Sequence, residues 1–338
     1  MNQLKSYKIL FFLVLVILLF SIPVFMKNLY YIGLLTTLLM NILLVVSFWF
    51  NMSTGQVNLG HGAFAAIGGY ISAALITSYG FSSWLSLPIA VITTGVVALI
   101  LGFITLRITG VYFLITTIAL ASVIQIIFGI WDNPFGGLIG LLHLPPPSQI
   151  SIAGLFTIEL DSKLAIYYLT LIFSLLGVLL IYRLYNSSMG LIFRGINNSD
   201  ILARHVGINI MGYKILVFVI ASMCAALAGV LYTYSSSAIQ PTSFTMTQSI
   251  FYLVCTSVGG LSYFPGPIIG TVALSIISEF LRPIQNYENI IYSLLLIGAI
   301  MVFKGGLYGI IQKIGDIFMK WTMKYRNASA NKSINCSS

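Results

Sequence analysis

The stretch RLYNSSMGLIFRGINNSDILARHVGINIMGYK, residues 183–214, is a polar interruption in the middle of an otherwise apolar chain. A short helix is predicted within it, because Ser199 can accept from the first free backbone N–H groups and Asp200 suits the positive end of a helix. Gly207 can close this helix in a left-handed turn. So short a helix is marginal in water alone. We therefore expect this stretch, called the arm below, to be held against another surface.

The composition on both sides of the arm is that of a polytopic membrane protein. Of the 338 residues, 59% are hydrophobic and only 7% are charged, whereas soluble domains carry about 25% charged residues. Apolar runs of about 20 residues cross a bilayer. The predicted spans lie near residues 8–26, 30–50, 61–79, 86–106, 110–131, 164–183, 213–234, 247–259, 266–282 and 289–304. We therefore expect an all-α fold of about ten transmembrane helices.

The net charge of +9 indicates membrane topology rather than nucleic-acid binding, because Lys and Arg gather on the cytoplasmic side of membrane proteins. With the N-terminus inside, all of the 16 Lys and Arg except Lys27, Lys163 and Arg282 lie in the cytoplasm. We therefore place both termini inside and expect the first span to be retained rather than cleaved as a signal peptide. The predicted regions are a transmembrane domain at 1–311, a cytoplasmic loop at 184–213 between spans six and seven, and a basic cytoplasmic tail at 312–338 whose end is disordered.

The loop NMSTGQVNLGHGAF, residues 51–64, follows the second predicted span and is polar without carrying a fixed charge. Its glycines, among them Gly55 and Gly60, permit unusual backbone angles. Non-helical backbone at membrane depth is tolerated where it is buried in protein or lines a wet cavity. The residues therefore allow two interpretations, a polar lining of a transport path or an ordinary interfacial turn. The polar side chains in question are Asn51, Ser53, Thr54, Gln56, Asn58 and His61.

Two further segments interrupt the apolar pattern. Residues 132–163 form a predicted external segment with a small hairpin turning at Ala153 and Gly154; it either docks a partner, caps a pathway or is a passive connector. The segment TSVGGLSYFPGPIIG, residues 256–270, is similar in character to the 51–64 loop, and the two could be traces of an internal duplication. Its expected turn residues are Gly259, Gly260, Pro265 and Gly266.

Several kinds of chemistry have no signal in this sequence. There is no HExxH motif for zinc and no G-x-x-x-x-G-K-[ST] loop for ATP, so we predict neither a metal site nor an enzyme. Charged residues are scarce in the spans, which argues against a proton-coupled carrier; the exception is Glu279, which can pair with Arg282 one turn later. If transport is active, its energy must therefore come from a partner subunit. A short helix on the arm is a surface through which an ATP-hydrolysing subunit could move the permease.

Five motifs together resemble the permease subunits of ATP-binding-cassette (ABC) importers for branched-chain amino acids, of the LivM type. They occur in one consistent order from about residue 30 to 311. Asn58 stands where the family usually has Ser, and Lys304 where it tends to have Pro. The motifs are TGQVNLGHGAF with GGY at 54–70, LRITGVYFLITTIALA at 106–121, IWDNPFGGLIGL at 130–141, GLIFRGINNSDILARHVGIN at 190–209 and SVGGLSYFPGPIIGT at 257–271.

This resemblance implies an ABC importer permease fold in a bacterial plasma (inner) membrane, with a coupling helix on the arm. It implies a second permease chain, as a heterodimer or a homodimer, two cytoplasmic ATP-binding subunits that hold ATP and Mg, and an extracytoplasmic substrate-binding protein. The coupling residues would be Ser199, Asp200, Ala203, Arg204 and Gly207. For the translocation path we expect Asn51, Ser53, Gln56, Asn58 and His61, together with Thr256 and Ser257. The alternatives are a related importer of urea or another small polar solute, and an ion-coupled carrier or channel.

Overall fold

The computed structural model of the protein describes residues 19–21, 23, 28–147, 150–152, 156–158, 162–281, 294, 306–307 and 309. Helices make up most of this part of the chain. In order, the elements are α1 (Leu29–Met52), α2 (His61–Thr77), α3 (Ser83–Thr105), α4 (Val111–Ile130), α5 (Asp132–Phe135), β1 (Leu141–Leu142), β2 (Ile150–Ile152), β3 (Phe156–Ile158), α6 (Lys163–Tyr185), α7 (Ser188–Asn198), α8 (Asp200–His205), α9 (Ile210–Ser236), β4 (Ala238–Ile239), a 3₁₀ turn (Pro241–Phe244), α10 (Met246–Gly259) and α11 (Pro265–Leu281).

The predicted spans agree with the helices that the structure describes. Five helices, α1, α3, α4, α6 and α9, are long and apolar enough to cross a membrane among the described residues. The shorter helices α2, α10 and α11 coincide with three further predicted spans. The predicted spans at 8–26 and 289–304 lie almost wholly outside the described residues, as do Arg282 and the tail at 312–338. The count of ten spans and the domain boundary at 311 therefore stay predictions.

Helix α9 is the centre of the described bundle, and it packs along α1, α2 and α3. Its contact with α2 is made by small residues: Gly68 faces Ala226, and Gly229 faces the backbone of Ala65. Small residues let two helix backbones approach closely, which is how helices associate in membranes. A side chain added at Gly229 would meet the Ala65 carbonyl, so the spacing of α2 and α9 depends on this glycine.

Hydroxyl groups join three helices at the end of the bundle opposite the arm. The Tyr234 hydroxyl of α9 donates to the Ser83 carbonyl of α3 at 2.8 Å, and it lies 3.0 Å from Ser86 Oγ and 3.3 Å from Ser72 Oγ. At this end β1 also pairs with β4, and Leu141 is opposite Ile239. The end of α9 is therefore fixed by polar contacts where apolar packing ends.

The predicted hairpin in the segment 132–163 is present as strands β2 and β3, which pair antiparallel. The intervening residues 153–155, where the turn was predicted, lie outside the described part. These short strands are a small departure from the all-α expectation, in a region of alternating apolar and polar residues. The described part of the chain is still mainly a helical bundle, so the fold class is all-α apart from these strands.

The outer faces of α3 and α4 are apolar and exposed. Large side chains such as Ile92, Phe103, Ile104, Ile115 and Ile126 are open on these helices. A face of this size would be unusual on a soluble monomer, and hydrocarbon is the environment that suits it. The chain is therefore a multi-pass membrane protein.

The contacts divide the chain into two compact units, residues 1–250 and 251–338. In the first, α1–α4, α6 and α9 form the bundle and α7 and α8 form the helical part of the arm. In the second, α11 packs closely on the end of α10, since Gly270 faces the Cys255 carbonyl and Gly266 faces Gly260. Each unit thus has its own close contacts between helices.

Candidate functional site

The short helix predicted on the arm is present as α8. Its N-cap is Ser199, whose hydroxyl accepts from the Leu202 N–H at 3.3 Å. Its end is a Schellman turn: Ile208 N donates to the Ala203 carbonyl at 3.2 Å, and Gly207 N donates to the Arg204 carbonyl at 3.0 Å. Gly207 has a φ of +82°, which a glycine adopts without steric cost. Both local signals in the sequence were therefore confirmed.

Several of the residues that the resemblance implies for coupling contact their own chain in the structure. Asp200, expected to contact another subunit, forms an ion pair with Lys214 of α9 at 2.6 Å from Oδ2 to Nζ. Ala203 is buried. The Ser199 side chain is used by the cap. Three of the five predicted coupling residues thus have a role inside this chain, while Arg204 and Gly207 are exposed.

Three large apolar residues are exposed on α8 and its C-cap, beside the exposed Arg204 and His205, and the sequence analysis did not predict this. Ile201, Leu202 and Val206 are 71%, 67% and 80% exposed. Apolar residues on a short helix are usually expected to face the core, so the sequence pattern by itself predicted that Ile201, Leu202 and Val206 would be buried. The available signal was that Asp200 and Ala203 occupy one face of the helix, which leaves the apolar residues on another.

The other helix of the arm, α7, is anchored by aromatic contacts. Phe193 is fully buried and packs edge-to-face on Phe50 of α1, with 5.6 Å between ring centroids, and near Tyr213 of α9 at 6.2 Å. The Arg194 guanidinium lies 5.1 Å from the centre of the Tyr185 ring. The arm is therefore held against the ends of α1, α6 and α9, as the marginal stability of its short helix required.

The polar loop, residues 51–61, lies beside the arm and is buried. At Gly55 an added Cβ would lie 3.2 Å from Asn197 Oδ1 of α7, so the loop and the arm are in contact. The loop is thus enclosed by protein. Of the residues in it that were expected to form turns or to line the path, Gly55 alone is exposed. The buried polar side chains are Asn51, Ser53, Thr54, Gln56, Asn58 and His61.

His61, the first residue of α2, is the hub of a buried hydrogen-bond network. Its Nε2 lies 2.8 Å from Ser47 Oγ, and its Nδ1 lies 3.5 Å from Asn51 Nδ2. The Ser47 hydroxyl also donates to the Leu44 carbonyl at 2.9 Å. In the tautomer that satisfies all these groups, the proton is on Nε2 and is donated to Ser47, while Nδ1 accepts from Asn51. Neighbouring side chains of α1 thus satisfy both ring nitrogens of His61.

Asn58 is the member of the loop with an unused donor. Its Oδ1 accepts from the Gly60 N–H at 3.0 Å. Its Nδ2 is buried and has no hydrogen-bond partner, which is uncommon for a buried polar atom. The backbone around it is tightly held, because an added Cβ at Gly60 would lie 2.6 Å from the Thr117 carbonyl oxygen, and Gly62 N donates to Ser249 Oγ at 3.2 Å.

The expected turn and path residues of the segment 256–270 belong to the end of α10 and the start of α11. Thr256 is buried and donates to the Tyr252 carbonyl at 2.7 Å, and Ser257 is half-buried. Gly259 ends α10, Gly260 has a φ of +117°, and α11 starts at Pro265 and Gly266. The turns are therefore where the sequence indicated. That Thr256 and Ser257 join the polar loop along a path stays a prediction.

Comparisons with known proteins identify the family of this chain. The family model described as the permease component of the branched-chain amino acid transport system matches residues 30–304. The chain is 27% identical over 266 residues to the high-affinity branched-chain amino acid transport system permease proteins LivM of Salmonella typhimurium and of Escherichia coli. It is 23% identical over 273 residues to the probable branched-chain amino acid transport permease protein LivH of Methanocaldococcus jannaschii.

The coverage of these matches differs between the relatives. Each LivM alignment covers 74% of this chain and 61% of the relative, so this chain spans about three fifths of the LivM proteins that it matches. The LivH alignment covers 77% of this chain and 85% of the relative. No solved structure matches the chain with significance. Because the family model covers most of the sequence and the motifs lie within it, the chain belongs to the family of branched-chain amino acid transport permease components.

Proposed function

We propose that this chain is the membrane-spanning permease subunit of an ABC importer that moves branched-chain amino acids inward. ATP, with its Mg, is bound and hydrolysed by separate subunits in this proposal. Family membership supports the transport role. The observation that supports separate ATP-binding subunits as the energy source is the geometry of the arm. Its helix α8 is capped at both ends and fixed to the bundle, yet Ile201, Leu202 and Val206 are exposed.

The outward face of α8 is the surface on which we place the ATP-binding subunit. Its apolar residues are flanked by the exposed Arg204, and interface centres combine apolar side chains with Arg. The exposed Gly207 permits close approach, because nothing lies within 4 Å of a Cβ added there. The proposal thus keeps Arg204 and Gly207 as contacts, gives Ser199, Asp200 and Ala203 supporting roles, and adds Ile201, Leu202 and Val206.

The other proposed partners follow from the same function. A second permease chain completes the pore, two ATP-binding subunits occupy the cytoplasmic side, and a substrate-binding protein delivers the amino acid from outside. The excess of Lys and Arg on the arm and near the termini supports a cytoplasmic position for the arm and for both termini. The membrane is then the bacterial inner membrane.

We place the polar loop on the translocation path. A zwitterionic amino acid needs hydrogen-bond donors for its carboxylate, and interrupted helices in transporters can provide them. The unused Nδ2 donor of Asn58 supports this position. In the described conformation the loop is buried, so the proposal requires that the protein opens around Asn58 and His61 during transport.

The test is uptake by the assembled transporter. The permease chains are reconstituted in vesicles with or without the ATP-binding subunits, and uptake of radiolabelled leucine, isoleucine, valine and urea is measured in the presence of the binding protein. We expect uptake of the branched-chain amino acids only with both ATP and the ATP-binding subunits. Uptake of urea alone would favour the related importer, and uptake driven by an ion gradient without the ATP-binding subunits would favour a carrier.

A matched pair of leucines on the arm tests the position of the contact. Leu202 of α8 and Leu191 of α7 are 67% and 65% exposed. We expect Leu202→Glu to prevent copurification of the ATP-binding subunit and to abolish uptake, because a carboxylate is desolvated in an apolar contact. Leu191→Glu is the control and should retain both. Normal uptake with Leu202→Glu would contradict the role of α8.

A further inference from the structure

The ion pair between the arm and the bundle contains a buried lysine. Lys214 is 5% exposed and its Nζ lies 2.6 Å from Asp200 Oδ2, whereas the Asp200 side chain is 38% exposed. Lys214 is the one buried Lys or Arg among the residues for which the structure describes burial. A buried ammonium group is unfavourable unless it is paired, so Lys214 depends on Asp200 more than Asp200 depends on Lys214.

Helix α9 by itself gives no reason for a lysine at this place. Lys214 is the fifth residue of α9, and cations stabilise the C-terminal end of a helix rather than its N-terminal end. The start of α9 is already capped, because the Asn209 side chain accepts from Gly212 N at 3.1 Å. The lysine is therefore explained by what it holds on the arm.

The ion pair joins two helices that follow one another in the chain across a short connection. Only residues 206–209 separate α8 from α9, and they include Gly207 in its left-handed conformation. A single connection of this kind lets one helix pivot on the next. The contact between Asp200, at the first residue of α8, and Lys214, inside α9, is a second connection that prevents this pivoting.

Because of this second connection, a movement of α8 would be transmitted by α9 to the centre of the bundle. Beyond Lys214, the buried face of α9 continues through Val217, Phe218 and Ala221. Further along α9, Ala226 and Gly229 are in close contact with α2. Helix α2 begins at His61 of the polar loop. The rigid elements between the arm and the loop are therefore α9 and α2.

We propose that Lys214 is a positioning residue that, through Asp200, locks α8 to α9, so that a displacement of α8 by the ATP-binding subunit moves α9 as well. This inference rests on the proposed function for the source of the displacement. It gives Asp200 a role inside the permease chain, in place of a contact with the ATP-binding subunit. The lock itself is a property of the permease chain and can be tested without transport.

The first experiment measures the lock in the isolated permease by amide hydrogen exchange. We expect Lys214→Met, which keeps the length and apolar part of the side chain, to increase exchange at the amides of Ala203 and Arg204 at least about tenfold, since local opening becomes easier. Exchange in α2 and α3 should not change. Lys214→Arg keeps the cation and should exchange as the wild type does. Unchanged exchange in α8 with Lys214→Met would overturn the proposal.

The second experiment measures coupling in the full transporter, as the number of substrate molecules imported per ATP hydrolysed. We expect Lys214→Met to copurify with the ATP-binding subunit and to hydrolyse ATP, but to lower this ratio at least about tenfold. The exchanged pair Asp200→Lys with Lys214→Asp should restore it, and Lys214→Arg should keep it. A ratio within about twofold of wild type in Lys214→Met would overturn the coupling role. A wild-type transporter without ATP-dependent uptake would instead refute the proposed function, and the exchange experiment would still decide the lock.

Discussion

The arm and the polar loop are two polar stretches that interrupt the apolar chain, and they differ in which side chains the structure buries. In the loop, side chains such as Asn51, Gln56 and His61 are buried. On the arm, apolar residues such as Ile201 and Val206 are exposed. Polarity in this sequence therefore marks where a membrane helix is interrupted. It does not indicate which side chains face water.

The difference follows from what each stretch can bond with. The loop closes a short gap between α1 and α2, so its polar groups lie within the bundle and find partners there, as His61 does in Ser47. The arm spans the longer stretch between α6 and α9. It is held to the bundle by side chains such as Phe193 on Phe50 and Asp200 on Lys214, while others, such as Leu202, stay exposed.

The largest expected effect comes from removing the aromatic anchor of the arm. Phe193→Ala should lower the free energy of unfolding by about 3–5 kcal/mol, the usual range for a buried phenylalanine, because it leaves a cavity beside Phe50 and Tyr213. Leu191→Ala, two residues away and exposed, should change it by less than about 0.5 kcal/mol. Denaturant unfolding of the purified protein in detergent measures both. Equal effects would mean that the arm is not anchored through Phe193.

The second prediction compares one histidine from each stretch. His61→Leu removes the partner of Ser47 and Asn51 inside the protein, and we expect a loss of about 1–3 kcal/mol in the free energy of unfolding, the cost of leaving buried polar groups unsatisfied. His205→Leu, on the exposed side of α8, should stay within about 0.5 kcal/mol of the wild type. The same unfolding measurement applies. A larger effect at His205 than at His61 would reverse the contrast between the two stretches.

The local features of both stretches could be predicted from sequence, because they depend on neighbouring residues. The cap at Ser199, the left-handed Gly207 and the helix boundaries on either side of the loop follow from short-range chemistry, and the structure contains them. These features fixed the position of the candidate site along the chain. The topology inferred from the charge pattern stays a prediction.

The contacts that orient the site could not be predicted, because each joins residues of different elements. The pairing of Asp200 with Lys214, the packing of Phe193 on Phe50 and the bond from Gly62 N to Ser249 Oγ all depend on how the helices pack. Local patterns in one sequence do not reveal that packing. Without it, Asp200 looked like an exposed contact, whereas the structure turns it toward α9 and leaves Leu202 outside.

The smallest expected effect separates the local stability of the arm from that of the bundle. Ser199→Ala removes the acceptor for the Leu202 N–H, and the loss of such a cap costs about 1 kcal/mol. We expect this cost to appear as an approximately fivefold faster hydrogen exchange at the Leu202 amide, while the global free energy of unfolding stays unchanged, since α8 can open without the bundle. Ser199→Asp supplies another capping oxygen and should exchange as the wild type does. Ser199→Ala could instead lower the global free energy of unfolding by the whole cost of about 1 kcal/mol. In that case α8 would unfold only together with the bundle, and the arm would be as much a part of the cooperative fold as the buried loop beside it.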